Sequence, residues 1–275
     1  MDTEKRGRVL IIAGSDSGGG AGIQADIKTV TMLGGYAATA ITAITVQNTL
    51  GVQAAVRVHP ELILAQARAV LDDIGADAFK TGMLGGRRGV EAVAELLEGA
   101  AAIPAVIDPV MIAKGGQALL SDKALSAFKA RLIPRADLLT PNAPEAEALT
   151  GIAVANLDGQ RRAGEALLKA GARAVLVKGG HVPGKTVTDL LLTASGETLL
   201  EGPRIDTRHT HGTGCTLASA CATGLAQGMK LEDAVARAWA YVAEAIRRAP
   251  GFGQGFGPLD HGWPLKSDLG PDPAK

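Results

Sequence analysis

Asp206-Thr207-Arg208-His209-Thr210-His211-Gly212-Thr213-Gly214-Cys215-Thr216 concentrates the groups of this chain that could carry out a reaction. A polar loop runs into Gly212-Thr213-Gly214, and Cys215 then opens the small-residue segment Thr216-Leu217-Ala218-Ser219-Ala220-Cys221-Ala222. Ala and Leu favour helix and small side chains allow close packing, so this segment is predicted as a buried helix. Thr213 or a neighbouring glycine can serve as N-cap, leaving backbone N–H groups from Gly214 onward unpaired. Such a terminus attracts an anion through its free donors and the helix dipole. The same position draws a cysteine towards the thiolate. An anion hole and an activated thiol at one point fit phosphoryl or acyl transfer. A glycine-rich helix start carrying a packed cysteine fits the same residues.

Further polar groups recur where strands are predicted to end. Asp108 follows Ala105-Val106-Ile107 and precedes the stiffening Pro109, a place for a Mg²⁺ ligand or for a turn acid. Asn142 and Glu145, three apart at a helix start, match a capping pair, and their oxygens also suit Mg²⁺. Lys178 closes the apolar run Ala174-Val175-Leu176-Val177 as a cation available to a phosphate. Gln47 lies beyond the carboxyl end of a strand over Tyr36 to Val46, where ligands bind in open α/β sheets. Its amide offers both a donor and an acceptor to a heterocycle edge, although the residue type equally suits an ordinary polar loop. His209 and His211 lack a third ligand in the sequence, and a solvated loop is expected there.

Two motifs mislead. Gly20-Ala21-Gly22-Ile23-Gln24-Ala25 matches the dinucleotide fingerprint G-x-G-x-x-A. Its loop, Gly14-Ser15-Asp16-Ser17-Gly18-Gly19-Gly20, is too long for the tight turn, and the next strand ends in Gln47-Asn48 with no acid for a ribose. A glycine-rich substrate loop is the better reading. Gly179-Gly180-His181-Val182-Pro183-Gly184-Lys185-Thr186 fits the P-loop pattern, which must open a helix. Here it opens Val187-Thr188-Asp189-Leu190-Leu191-Leu192, the turn Ala194-Ser195-Gly196-Glu197 and Thr198-Leu199-Leu200, which together predict a β-hairpin.

The elements that must hold these residues alternate strand and helix. Val9 to Ala13 predicts a buried parallel strand, and Ala21 to Leu33 a helix. Helices are expected over Glu61 to Ile74, Gly89 to Leu97 and Leu231 to Arg247, and strands over Asp77 to Lys80 and Asp137 to Thr140. The Gly- and Pro-rich Gly251 to Pro258 should be irregular. The 275 residues, 47% hydrophobic, suffice for one large α/β domain or two small ones. Lys+Arg and Asp+Glu are both 28, so the basic excess usual in nucleic-acid binders is missing. The two cysteines, Cys215 and Cys221, lie on different faces of one predicted helix and cannot pair, which fits a reducing compartment. With no signal-like start and no run of about 20 apolar residues, a cytoplasmic location is expected.

Taken in order, Ala13-Gly14-Ser15-Asp16-Ser17-Gly18-Gly19-Gly20-Ala21-Gly22-Ile23-Gln24-Ala25-Asp26, Ile44-Thr45-Val46-Gln47-Asn48-Thr49, Lys80-Thr81-Gly82-Met83-Leu84, Asp108-Pro109-Val110-Met111, Thr140-Pro141-Asn142-Ala143-Pro144-Glu145, Lys178-Gly179-Gly180-His181 and Gly212-Thr213-Gly214-Cys215 resemble a known family. It is that of the hydroxymethylpyrimidine/phosphomethylpyrimidine kinases of thiamine biosynthesis, a branch of the ribokinase-like superfamily. The resemblance runs from about residue 8 to about residue 262; Asp260 departs from it, standing where Asn is expected.

It implies a single ribokinase-like α/β domain over residues 1–275: a mainly parallel central sheet, helices on both faces and a small β-hairpin extension. The core would span about 8–262, with 263–275 a flexible tail. The implied reaction is ATP-dependent phosphorylation of 4-amino-5-hydroxymethyl-2-methylpyrimidine and then of its monophosphate. A pyridoxal or pyridoxine kinase is the alternative, and a dinucleotide oxidoreductase or a non-catalytic heterocycle binder more remote ones. Gln47, Asp26 and Met83 would contact the pyrimidine, with Gly14 and Val110 in its pocket. Asn142 and Glu145 would support Mg²⁺ through water, Asp108 would join that cluster, and Lys178 and Thr213 would meet the phosphates. Gly212, Thr213, Gly214 and Cys215 would form the anion hole, with Cys215, made thiolate-like by the helix terminus, as the base. The resemblance further implies a homodimer, and no fused thiamine phosphate synthase barrel is expected.

Overall fold

A run of aliphatic residues with no polar side chain can be satisfied only between two apolar layers, and Val9 to Ile12 are fully buried. They form β1 (Arg8–Asp16), in a computed structural model that describes residues 6–111 and 121–268. Alternate side chains leave β1 on opposite faces: Val9, Ile11 and Ala13 pack into one core, Leu10 and Ile12 into the other.

The remaining strands are β2 (Tyr36–Asn48), β3 (Gly51–Arg57), β4 (Ala78–Thr81), β5 (Ala105–Ile107), β6 (Leu138–Leu139), β7 (Ala174–Val177), β8 (Thr186–Thr193) and β9 (Gly196–Pro203). They form one sheet in the order β3-β2-β1-β4-β5-β6-β7-β8-β9. β2 through β7 of that order are parallel, while β3 pairs antiparallel with β2 at one edge, and at the other β8 pairs antiparallel with β7 and β9 with β8. One face is covered by α1 (Gly22–Met32), α7 (Thr213–Ala226) and α8 (Leu231–Arg247), whose residues share a core with Val9 and Ile11. The other carries α2 (Pro60–Asp73), α3 (Arg87–Gly99), α5 (Ala143–Thr150) and α6 (Leu157–Lys169), together with Phe128 and Leu132. The short α4 (Asp122–Ala127) and α9 (Trp263–Asp268) complete the described helices. The chain order turns back between β1 and β4, so the strands' carboxyl ends open a crevice there.

Several boundaries differ from the sequence reading. β1 continues to Asp16 although a loop is expected from Gly14, because Ser15 and Asp16 still pair with Ile44 and Thr45 of β2. β3 is absent from the sequence reading. Its residues from Gln53 to Arg57 are all exposed, so no buried face imposes a pattern. Residues 263–268, expected in a flexible tail, are helical, and Trp263 stacks against Tyr241 with ring centroids 5.8 Å apart. Residues 269–275, the rest of that expected tail, lie outside the described residues. The hairpin β8–β9 is present with its turn at Thr193↔Gly196, so Lys185 and Thr186 lead into a strand and no P-loop forms.

Candidate active site

α7 starts where two loops touch. Gly212 is its N-cap at φ +85°, and a Cβ there would lie 1.8 Å from Gly20 O, so only glycine permits the approach. The first helical hydrogen bond runs from Thr216 N–H to Gly212 O at 2.9 Å. The N–H groups of Gly214 and Cys215 therefore stand ahead of the ladder, at the positive end of a 14-residue helix. Thr213 points its hydroxyl back, donating to Thr210 O at 2.8 Å.

Across a narrow gap stands an ionic cluster from the ends of three strands, β5, β6 and β7. Lys178, just past β7, donates from Nζ to Asp108 Oδ1 at 3.0 Å, and Thr140 Oγ1 donates to the same oxygen at 3.0 Å. A Cβ on Gly214 would come within 3.1 Å of Lys178 Nζ and 3.6 Å of Asp108 Oδ2. The missing side chain lets the start of α7 approach the Lys178–Asp108 pair closely, with the leading N–H groups on one side and the ammonium on the other. Burial works against the Lys178 ammonium, but Asp108 and Glu145 hold its pKa above the usual lysine range.

Asn142 and Glu145 form a complete capping box: Glu145 N–H donates to Asn142 Oδ1 at 2.9 Å and Asn142 N–H to Glu145 Oε2 at 2.8 Å. Glu145 is nonetheless buried, and burial raises its carboxyl to about 7 against the pull of Lys178. With Asp108 it gives two hard oxygen donors within one cluster. No group of three metal-ligating side chains occurs among the described residues. The donor set therefore suits Mg²⁺ held largely through water and phosphate oxygens, and does not make an all-protein cage.

Beneath Cys215 lies a feature that the sequence reading misses. Lys80 and Asp26 are both fully buried, and Lys80 Nζ donates to the two Asp26 oxygens at 2.7 and 2.8 Å. Ser219, one turn along α7 from Cys215, donates to Asp26 Oδ1 at 2.7 Å. Burial works against the Lys80 charge, and Asp26 holds its pKa above the usual range. Asp26, expected against the pyrimidine, is here fully buried and held by Lys80 and Ser219.

A correction concerns Cys215. Its surroundings push the thiol up to about 11: burial outweighs the nearby Lys80 and the Gly22 N–H that bonds the sulfur. Cys215 is therefore a thiol at rest, and the helix terminus does not by itself make it a thiolate.

The expected pocket residues lie around this centre. Gly14 leaves room for Met83, whose Cε would sit 2.3 Å from a Cβ there. Val110 lines a small apolar recess with Gly82, Leu84, Val90 and Phe128. Gln47 is tied at its backbone to Ser17, whose hydroxyl accepts from Gln47 N–H and donates to Gln47 O, both at 2.8 Å. Its amide lies 3.1 Å from His211 Nε2, which is 2.9 Å from Asp16 Oδ2. Asp16 also accepts from the N–H groups of Gly18, Gly20 and Ala21 at 2.8, 3.1 and 2.8 Å. Burial works against its charge, yet the His211 ring and the Ala21 and Gly18 donors keep its carboxyl below the usual range. His211 is 7% exposed, so the solvated loop expected there is also corrected: the glycine loop after β1 folds over the ring.

The chain matches the family model described as phosphomethylpyrimidine kinase over residues 16–260. It is 52% identical over 257 residues to the hydroxymethylpyrimidine/phosphomethylpyrimidine kinase of Streptomyces coelicolor, covering 94% of this chain and 95% of that protein. The solved phosphomethylpyrimidine kinase of Clostridium difficile is 41% identical with a TM-score of 0.78, covering 87% of this chain and 99% of that one. An ADP complex of Bacillus subtilis pyridoxal kinase is 35% identical with a TM-score of 0.87, covering 93% and 97%.

Proposed function

This chain belongs to the phosphomethylpyrimidine kinase family, and from that premise we propose the following working of its site. The enzyme is a kinase that passes phosphoryl groups from ATP to hydroxymethylpyrimidine and then to its monophosphate. The observation that carries the assignment of roles is the gap at Gly214, with Cys215 and two leading N–H groups on one side and the Lys178–Asp108 pair on the other.

The Gly212 to Cys215 turn holds the phosphoryl oxygens, and Lys178 meets them from β7. Asn142 and Thr213 border the ATP phosphates, and Asp108 and Glu145 are the residues to hold Mg²⁺ through water. Bound Mg²⁺ supplies neutralisation of phosphate charge. Gln47, Met83, Val110 and Gly14 line the pyrimidine side. Cys215, as the thiolate formed once its own proton has passed to solvent, takes the proton of the attacking hydroxyl or phosphate oxygen and is a thiol again after the transfer. We also propose a homodimer, supported by the exposed apolar strip of Ile44 and Val46 on β2 and Val56 on β3, where Ile44 pairs with Val56.

The test is to incubate the protein with Mg·ATP and, separately, hydroxymethylpyrimidine, its monophosphate, pyridoxal and ribose, reading products by mass spectrometry. Mono- and diphosphate from the pyrimidine are the expected products. The likeness to a solved pyridoxal kinase supports a second reading, and phosphate gained mainly by pyridoxal would establish it. No phosphate on any acceptor would overturn both.

A further inference from the structure

The amide nitrogen of Gln47 stands 3.1 Å from His211 Nε2, and its oxygen 3.3 Å from Thr45 Oγ1. Proton counting rules out the first contact as a hydrogen bond in that orientation and leaves the second without a proton of its own. Asp16 is a carboxylate that accepts three backbone N–H groups, so the fourth contact, at 2.9 Å, must be a donor, His211 Nε2–H. A protonated Nε2 cannot accept from the Gln47 amide nitrogen. Thr45 has a single hydroxyl proton and directs it to Ser15 O at 2.9 Å, which leaves the Gln47 oxygen at 3.3 Å with only a weak share of it. A half-turn of the amide resolves both conflicts together. Gln47 Oε1 then shares the His211 Nε2–H with Asp16, and Gln47 Nε2 donates to Thr45 Oγ1.

We propose that His211, held by Asp16, is a positioning residue that locks the Gln47 amide in one sense and so sets the donor–acceptor order read on the substrate ring. The inference rests on the reading of Gln47 as the pyrimidine contact. The lock is built: His211 Cδ2 would lie 2.6 Å from a Cβ on Gly20, so the glycine loop closes directly on the ring. The Gln47 backbone is separately pinned by Ser17. With Oε1 directed to His211 and Nε2 to Thr45, the amide retains one N–H and one lone pair for a ligand, in fixed order. A 4-amino pyrimidine presents an amino donor beside a ring-nitrogen acceptor. Its 4-oxo analogue presents the reverse, which a free glutamine could meet by a half-turn and a locked one cannot.

The test compares kcat/KM for 4-amino-5-hydroxymethyl-2-methylpyrimidine with that for its 4-oxo analogue. The wild-type enzyme should prefer the amino compound by about 100-fold or more, since the mismatched ring leaves the site's polar groups unpaired. His211→Leu should cut that preference by about tenfold or more, through the pyrimidine KM, with the KM for Mg·ATP changed by less than about threefold. His211→Gln, which places an N–H near the position of Nε2, should recover most of the preference. In a Gln47→Ala background, His211→Leu should change nothing further.

An unchanged preference in His211→Leu, with Gln47→Ala losing it, overturns the lock and leaves the kinase reading standing. Gln47→Ala with unaltered pyrimidine KM overturns the reading of Gln47 and the lock with it. A wild-type protein that phosphorylates neither ring overturns the function itself. Should the variants fail to fold, the ¹⁵N shifts of the His211 ring in the unsubstituted protein decide: Nε2 protonated is expected, and an unprotonated Nε2 overturns the lock.

Discussion

At the residue scale, the base role proposed for Cys215 turns on its protonation. A thiol held at about 11 is ionised in a fraction that rises tenfold per pH unit below that value. The turnover of the wild-type enzyme should accordingly climb between pH 7 and 9. Cys215→Ala should lose about 10²–10³ in kcat while still binding both substrates, which equilibrium titration with the pyrimidine would verify. Cys215→Asp places a carboxylate at the same point and should flatten the profile over that range. A flat wild-type profile together with near-normal turnover in Cys215→Ala would remove Cys215 from the proton transfer. The residues that hold this point had uneven signatures in the chain. Gly212 to Cys215 is legible because a glycine turn and a helix start are contiguous. The Lys80–Asp26 pair is not, because its members are 54 residues apart on different elements. Lys80 did leave one trace: it occupies the alternating position of β4 that faces the same core as Ala78, where an apolar residue belongs.

At the element scale, α5 has two duties that pull against each other. Its capping box stabilises the helix start, while burial beside Asp108 makes the Glu145 charge unfavourable. The carboxyl is raised from 4.5 to about 7 on folding, so its stability contribution is fullest below pH 4.5 and is lost as pH rises through 7. The loss amounts to about 3 kcal/mol at most. Glu145→Gln keeps an acceptor for the Asn142 N–H and removes the charge. Its Tm should exceed that of the wild type at pH 8 and converge with it near pH 4.5, while its demand for Mg²⁺ rises. Equal Tm values at pH 8 would contradict the assignment. The hairpin β8–β9 carries a separate expectation. Lys185 is exposed at its mouth, so Lys185→Ala should leave the KM for ATP within about twofold of wild type. A collapse of ATP use would restore the phosphate-loop reading of Gly179 to Thr186. Hairpin and capping box were both readable in advance, since each depends on residues a few positions apart.

At the scale of the whole molecule, the unclosed edge is at β2 and β3. Ile44, Val46 and Val56 are 55%, 53% and 69% exposed, more apolar surface than an isolated sheet edge normally tolerates. The proposed dimer buries this strip. Sedimentation of the wild type should give a dimer and of Val56→Asp a monomer; a monomeric wild type would refute the arrangement. No helix among the described residues is long and apolar enough to cross a membrane. β3 itself could not be read from the chain, because exposed residues on both faces leave no periodicity to detect.

The sequence alone determined whatever depends on near neighbours: the buried parallel strands, the cap at Asn142, the helix opening after Gly214 and the order of motifs that identifies the family. Through-space encounters belong to the tertiary structure. The surroundings that push the half-buried Cys215 thiol up depend on α1 and β4 packing against α7. Asp26 faces Lys80 because those same elements meet there. His211, six positions before Leu217 in a loop that looks solvated, becomes a buried donor only when the glycine loop of β1 folds over it. Hydrogen-bond direction and desolvation are set by which groups surround an atom, and that is decided when the sheet and its helices assemble.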